Sequence, residues 1–332
     1  MCQYSSENGY ANDWHLVHLV SRAVGGASLV FTEAAAVEPA GRISPTDLGI
    51  WNDEQAVALA RMVDLIHQQG AVAGIQLAHA GRKASTAQPW HGGQPLDEAS
   101  GGWRPVFAPS AIAFDDRSPV PEALSLEGIA RITQAFVGAA KRAVEAGFKV
   151  IEVHAAHGYL LHEFLSPLSN QRQDHYGGSF ENRTRLLQEI TSAIRNSIPD
   201  SYPLWIRISA TDWAEGGWEI EQSIELSSKL KVLGADLIDC SSGGAVPKVS
   251  VPVGAGYQTK FAERIRLEAQ IPTGAVGMIT TPEQADHIIR TEQADFVLLG
   301  RELLRDPYWP HQAAKQLGQK VSVPQQYQRA WV

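Results

Sequence analysis

Apolar positions along this chain keep switching between two spacings. Leu16, Leu19, Val20 and Ala23 recur three or four residues apart, which is one face of a helix. Asn12 or Asp13 can cap that helix, and Gly25-Gly26 can end it after about Val24. Ser28 to Thr32 is then a short apolar run and reads as a buried strand. Asn52 and Gln55 form a capping-box-like pair before a stripe of Leu59, Met62, Val63 and Ile66, and Gly70 stops that helix. The spacing predicts further strands at Ala71 to Leu77, Lys149 to Val153, Pro203 to Ile208, Asp236 to Cys240, Thr273 to Val276 and Asp295 to Leu299. Between them it predicts one helix bearing Ile129, Ile132, Phe136, Ala139 and Ala143, and others starting at Ser179, Gln222, about Lys260 and Thr281-Pro282. One long stretch, His79 to about Leu124, is rich in Gly, Pro and Trp and has no period. A loop of that length inside a domain is expected to be functional. A tail from about 315 to 332 closes the chain.

Alternating strands and helices predict a parallel sheet with helical crossovers. Polar and reactive residues follow nearly every strand: Thr32-Glu33, Gln76 with His79, His154, Arg207, Ser241-Ser242, Gly277 and Gly300-Arg301. An open doubly wound sheet would gather them at one switch point, whereas a (β/α)8 TIM barrel spreads them around one mouth. The expected fold is therefore one barrel domain over 1–332. Only about seven strand–helix units are legible, after one unpaired helix, so the first strand of eight is missing. A truncated or misplaced start is expected, because an open barrel would expose two unpaired edges.

Composition narrows the function. The chain has 332 residues, 44% hydrophobic, enough for a sizeable core. Its net charge of -8 argues against general nucleic-acid binding. Cys2 and Cys240 are too few for a disulfide framework or a four-cysteine metal or iron–sulfur site. No apolar run approaches the roughly 20 residues of a membrane span, and the polar start gives no signal peptide. The expectation is a cytoplasmic protein with neither membrane nor nucleic acid as partner.

The candidate chemistry follows the strand ending at Val153. His154, His157 and Tyr159 put two imidazoles and a phenol in quick succession, a set suited to polarising an oxygen and delivering a proton. A pair of satisfied loop histidines is the alternative. Gly277 and Gly300-Arg301, after the last two strands, stand where barrels commonly build a phosphate site. A cofactor held there would set its ring against Gln76, Arg207 and the histidines. His154-x-x-His157 could instead bind zinc in a hydrolase or lyase, with Glu152 and Glu163 the only nearby carboxylates and no His-x-Glu pattern in support. Lys83 and Lys248 read as surface charges, with attraction of a dinucleotide phosphate as the second reading.

Five stretches together resemble the old yellow enzyme family, in particular its bacterial thermophilic-like or xenobiotic reductase-like branch. They are Met1-Cys-Gln-Tyr4, Gln76 to Arg82, His154-Ala-Ala-His-Gly-Tyr159, Asn170 to Arg183, and the ending Gln326 to Trp331. The resemblance implies an FMN-containing barrel that uses NADPH, or NADH, to reduce C=C bonds conjugated to a carbonyl or nitro group. It implies that His154 and His157 hold the substrate oxygen, that Tyr159 protonates the α-carbon, and that Tyr4 lines the substrate pocket. Cys2 and Ala34 would lie beside the flavin ring, Gln76 and Arg207 at its pyrimidine edge, and Gly277, Gly300 and Arg301 at its phosphate. Arg329, with Trp331 beside it, would reach into the neighbouring subunit's site in a homodimer or homotetramer. No metal is implied. Loss of the first strand leaves a third reading, a flavin-less inactive protein.

Overall fold

The computed structural model describes residues 1–331. The first helix, α1 (Asp13–Val24), starts where Asn12 accepts the Trp14 N–H at 3.1 Å. It buries Leu19 and Ala23. Seven parallel strands follow, and they pair in chain order. They are β1 (Leu29–Ala36), β2 (Val72–Ala78), β3 (Val150–Ala155), β4 (Leu204–Ser209), β5 (Leu237–Ser241), β6 (Thr273–Ala275) and β7 (Phe296–Val297). Parallel neighbours need a crossover, and helices supply it. These are α2 (Asp53–Gln68), α3 (Leu126–Glu145), the short α4 (Leu160–Leu165) with α5 (Phe180–Arg195), then α6 (Ile220–Val232), α7 (Thr259–Glu268) and α8 (Pro282–Arg290). Two more, α9 (Arg301–Arg305) and α10 (Trp309–Gln316), precede the tail. None of the described helices is long and apolar enough to cross a membrane.

The periodic residues face inward as their spacing requires. Ile129, Ile132, Phe136, Ala139 and Ala143 of α3 are all buried, as are Leu59, Met62, Val63 and Ile66 of α2. Each large aliphatic side chain buried this way contributes about 1.5–3 kcal/mol. The sheet is a curled wall with two edges, β1 and β7, which do not pair with each other. A cavity of about 370 Å³ lies between them, bordered by Leu29 and Phe31 on one side and Phe296 and Leu298 on the other. The sheet is open at this slot.

Three elements differ from their sequence reading. β1 runs on to Ala36, because Ala34, Ala35 and Ala36 pair with Gln76, Leu77 and Ala78 after a register shift at Phe31/Ala34. Thr32-Glu33 therefore sits within the strand, not at its end. β7 is shorter than expected, since it pairs on one side only, with β6. Residues 79–124 contain three 3-10 turns and a two-stranded sheet, Phe107–Ala108 with Glu122–Ala123. Arg172 ties that segment down through the Pro109 and Leu124 carbonyls at 2.9 and 2.6 Å.

Candidate active site

Strand register sets one polar layer inside the wall. Gln76 lies level with Glu152, His154 with Arg207, and Arg207 with Asp239. The Gln76 amide donates to Glu152 Oε1 at 2.6 Å, and Arg207 Nε stands 3.1 Å from Asp239 Oδ2. Burial and their mutual repulsion push the Glu152 carboxyl up, and burial pushes Asp239 up despite Arg207. Glu152 Oε2 has no partner. Gln76, Arg207, Val276, Gly300 and Met1 all border the 370 Å³ cavity.

The end of β3 carries His154, and the turn after it carries His157. His157 and Gly158 both have left-handed backbone, with φ of 59° and 70°. Three contacts hold this turn. His157 N–H donates to Ser209 Oγ at 2.9 Å, Gly158 N–H donates to His162 Nδ1 at 2.8 Å, and Lys83 Nζ donates to the His157 carbonyl at 2.8 Å. Lys83 also reaches the Gly244 carbonyl at 2.6 Å, which locks the turn to the loop after β5. Burial pushes its ammonium down to about 8. The reading of Lys83 as a surface charge is thus corrected, whereas Lys248 is exposed.

Hydrogen bonding assigns the imidazole tautomers. His154 Nδ1 accepts the Ala156 N–H at 3.2 Å, so its proton sits on Nε2. That Nε2–H faces His157 Nδ1 at 3.3 Å, which leaves His157 Nε2–H to donate to Ser241 Oγ at 2.6 Å. Burial, and after it the Arg207 charge, holds both rings well below the usual imidazole range. Both are therefore neutral donors at pH 7. The Tyr159 ring packs edge-on against His154, 5.0 Å between centroids. Burial raises its phenol well above the usual value, with Cys2, Tyr4 and Asp47 adding to the rise.

The remaining candidates surround this cluster. Cys2 and Tyr4 sit on the opening segment, where the Gln3 N–H donates to Glu33 Oε2. Burial, with Asp47 and Glu33, keeps the Cys2 thiol protonated. Tyr4 meets Trp90 edge-on at 5.7 Å. Ala34 is buried in β1. Gly277 has φ of 125°, and a Cβ there would lie 2.7 Å from the Gln258 side chain. Gly300 precedes α9, and Arg301 is exposed. Arg329 is not brought into the cluster: it stands exposed on a tail held by Trp331 packing against His311, 5.3 Å between rings. Among the described residues, no three His, Cys, Asp or Glu side chains group to hold a metal ion.

The match of the NADH:flavin oxidoreductase / NADH oxidase family model runs over residues 1–320. The chain belongs to this family. It is 51% identical to an NADPH dehydrogenase of Listeria monocytogenes serotype 4b over 333 aligned positions, covering 100% of this chain and 93% of that one. Among solved structures, morphinone reductase superposes with a TM-score of 0.79 at 25% identity, covering 98% of this chain and 86% of that one. A 2-naphthoyl-CoA reductase gives a TM-score of 0.85 at 26% identity over 96% of this chain, which spans about half (49%) of that larger protein. The old yellow enzyme reading and its barrel fold therefore stand. This flavin oxidoreductase is an NADPH dehydrogenase type of enzyme, with FMN as cofactor and NADPH or NADH as reductant.

Ser209 carries no signal in the sequence, and Ser241 and Lys83 read there only as a polar residue after a strand and a surface charge, because all three lie far along the chain from the histidines they touch. His162 holds the turn from the start of the next helix. It is fully buried and pairs with Asp212 at 2.9 Å. The one available signal was its spacing, one helical turn after Gly158.

Proposed function

We propose that this flavin oxidoreductase is an ene-reductase for small alkenes conjugated to a carbonyl or nitro group. The observation that carries the reading is the pair of neutral imidazoles. Their Nε2–H groups, which rest on His157 Nδ1 and Ser241 Oγ, would turn to the oxygen of an entering substrate, with the Tyr159 phenol beside them. The polar layer fits FMN: Gln76 and Arg207 offer an amide and a guanidinium to the pyrimidine edge. The Arg207 Nε–H donates no hydrogen bond although it stands beside Asp239, and two buried acids stand behind these groups. Cys2 and Ala34 would flank the ring, and Gly277, Gly300 and Arg301 would take the phosphate. Bound FMN supplies hydride chemistry, from the nicotinamide to the alkene.

The protein's own part is electrostatic. Negative charge grows on the substrate oxygen as the β-carbon gains hydride, and donors already aimed at that oxygen favour the transition state. Neutral donors suit this role, because they leave the net charge for Arg207 to supply. Tyr4 would line the pocket, and Tyr159 would protonate the α-carbon. In a homodimer or homotetramer, the exposed Arg329 would reach the neighbouring site. The enzyme would work in the cytoplasm.

Anaerobic titration tests the reading. NADPH should bleach the flavin absorption, and cyclohexenone should restore it. His154→Ala and His157→Ala should each slow the restoration about a hundredfold or more and leave flavin content intact. A flavin that bleaches but is not restored by any activated alkene would refute the reading.

A further inference from the structure

Reducing an activated alkene takes a proton at the α-carbon, and a phenol that gives one must be recharged before the next turnover. Asp47, in the loop between β1 and α2, is 3% exposed. Its Oδ2 accepts the Ile43 N–H at 2.6 Å, while Oδ1 is buried with no partner at all. An ionised oxygen in that setting is costly, and burial pushes the carboxyl up to about 8, so it carries a proton at neutral pH. Asp47 and Tyr159 border the same cavity of about 10 Å³, otherwise walled by Ile43, glycine and alanines. That is roughly the room one water needs. A Ser6 N–H to Thr46 carbonyl bond of 2.8 Å ties this loop to the segment carrying Cys2 and Tyr4.

We propose that Asp47 is the proton reserve for Tyr159, acting through a water in the shared cavity. The inference rests on the ene-reductase reading. The Tyr159 O–H bond breaks as the α-carbon–H bond forms, and the phenolate takes a proton from the water. The water takes one from Asp47, and the carboxylate is reprotonated by solvent. The net result is one solvent proton delivered, with no residue oxidised or reduced. Glu33 of β1 opposes ionisation of Asp47, and Arg42 of its own loop favours it. Cys2 and Tyr4 face it from the opening segment, both as neutral groups. The nearby side chains at the end of β2 and just after it that border the cavity, Ala78 and Ala80, carry no charge.

Two measurements test this. The first compares reoxidation of the reduced holoenzyme by cyclohexenone, which needs a proton on carbon, with reoxidation by ferricyanide, which does not. In Asp47→Asn the ratio of the two rates should fall about tenfold or more. In a Tyr159→Phe background the same substitution should add nothing. The second is infrared spectroscopy of the flavin-free chain. A protonated-carboxyl band absent in Asp47→Asn should shift in Tyr159→Phe. Equal loss with both oxidants, additive effects of the two substitutions, or a band indifferent to Tyr159→Phe would each overturn the proposal. Failure of the ene-reductase reading looks different, because cyclohexenone would then not reoxidise the unsubstituted enzyme. If Asp47→Asn does not fold, Asp47→Glu assigns the band by moving it, and that same band must then shift in Tyr159→Phe.

Discussion

Gly158→Ala probes the turn on which the histidine pair depends. An alanine here takes left-handed backbone at φ of 70°, which costs an L-residue about 1–2 kcal/mol. Its Cβ would also stand 2.1 Å from the Gly244 carbonyl oxygen, a backbone atom with little room to yield. Ordinary contact is well over an ångström longer. Restoring it must separate the two loops that Lys83 joins through the His157 and Gly244 carbonyls. Losing one such charge-assisted bond costs about 1.5–3 kcal/mol. Together these predict a destabilisation of about 2.5–5 kcal/mol. Displacing His157 by about an ångström should also weaken catalysis roughly a hundredfold. Gly216 isolates the steric part, since it has the same φ of 70° with nothing within 4 Å of a Cβ. Gly216→Ala should cost only the backbone share, about 1–2 kcal/mol. Urea unfolding of both holoenzyme variants reads stability, and titration of the flavin spectrum with a phenol reads the histidine site. If Gly158→Ala unfolds no earlier than Gly216→Ala and binds the phenol unchanged, the turn is not the rigid support described here.

Two further outcomes follow from the buried charges. Lys83→Met should lower phenol affinity about tenfold or more while leaving flavin content unchanged, because the ammonium touches the histidine turn and not the polar layer. Equal affinity in an equilibrium titration would remove Lys83 from the site. Stability should also fall on both sides of neutrality. Glu163 is pushed up by burial to about 8 from 4.5, so its stabilising share is lost as pH rises through 8. Glu163→Gln should flatten the alkaline slope between pH 6 and 8 by about 1.4 kcal/mol per unit. His154 and His157 are held below 6.5, so the folded state is disfavoured as pH falls under that value, where the unfolded chain binds more protons. Because Glu163 slopes the other way, the check is a difference: between pH 5 and 6.5 a His154→Gln/His157→Gln variant should gain less stability with rising pH than the unsubstituted enzyme, and equal slopes would contradict burial of the two as neutral rings.

Much of the architecture could be read from the chain alone because its cause is local. Apolar residues three and four apart make a helix face wherever they occur, and α2 and α3 bury the stripes their spacing marks. Short apolar runs between such helices can pair only in parallel, which left a barrel and one strand short of closure. The histidines and Tyr159 were legible because they crowd into six residues at a strand's end, and the family because five separate stretches agree with one pattern.

What tertiary structure alone decided depends on neighbours distant in the chain. Ala34 to Ala36 have no strong preference of their own, and β2 beside them makes them strand. Lys83 is a surface charge until carbonyls 74 and 161 residues away close on it. Asp47 is one aspartate in a loop until packing buries one of its oxygens with no partner, beside Tyr159. The direction of each imidazole's proton is set by Ala156 and Ser241. Spacing along a chain determines which face a residue takes. Burial, and with it charge state and hydrogen-bond direction, belongs to the space that several segments enclose together.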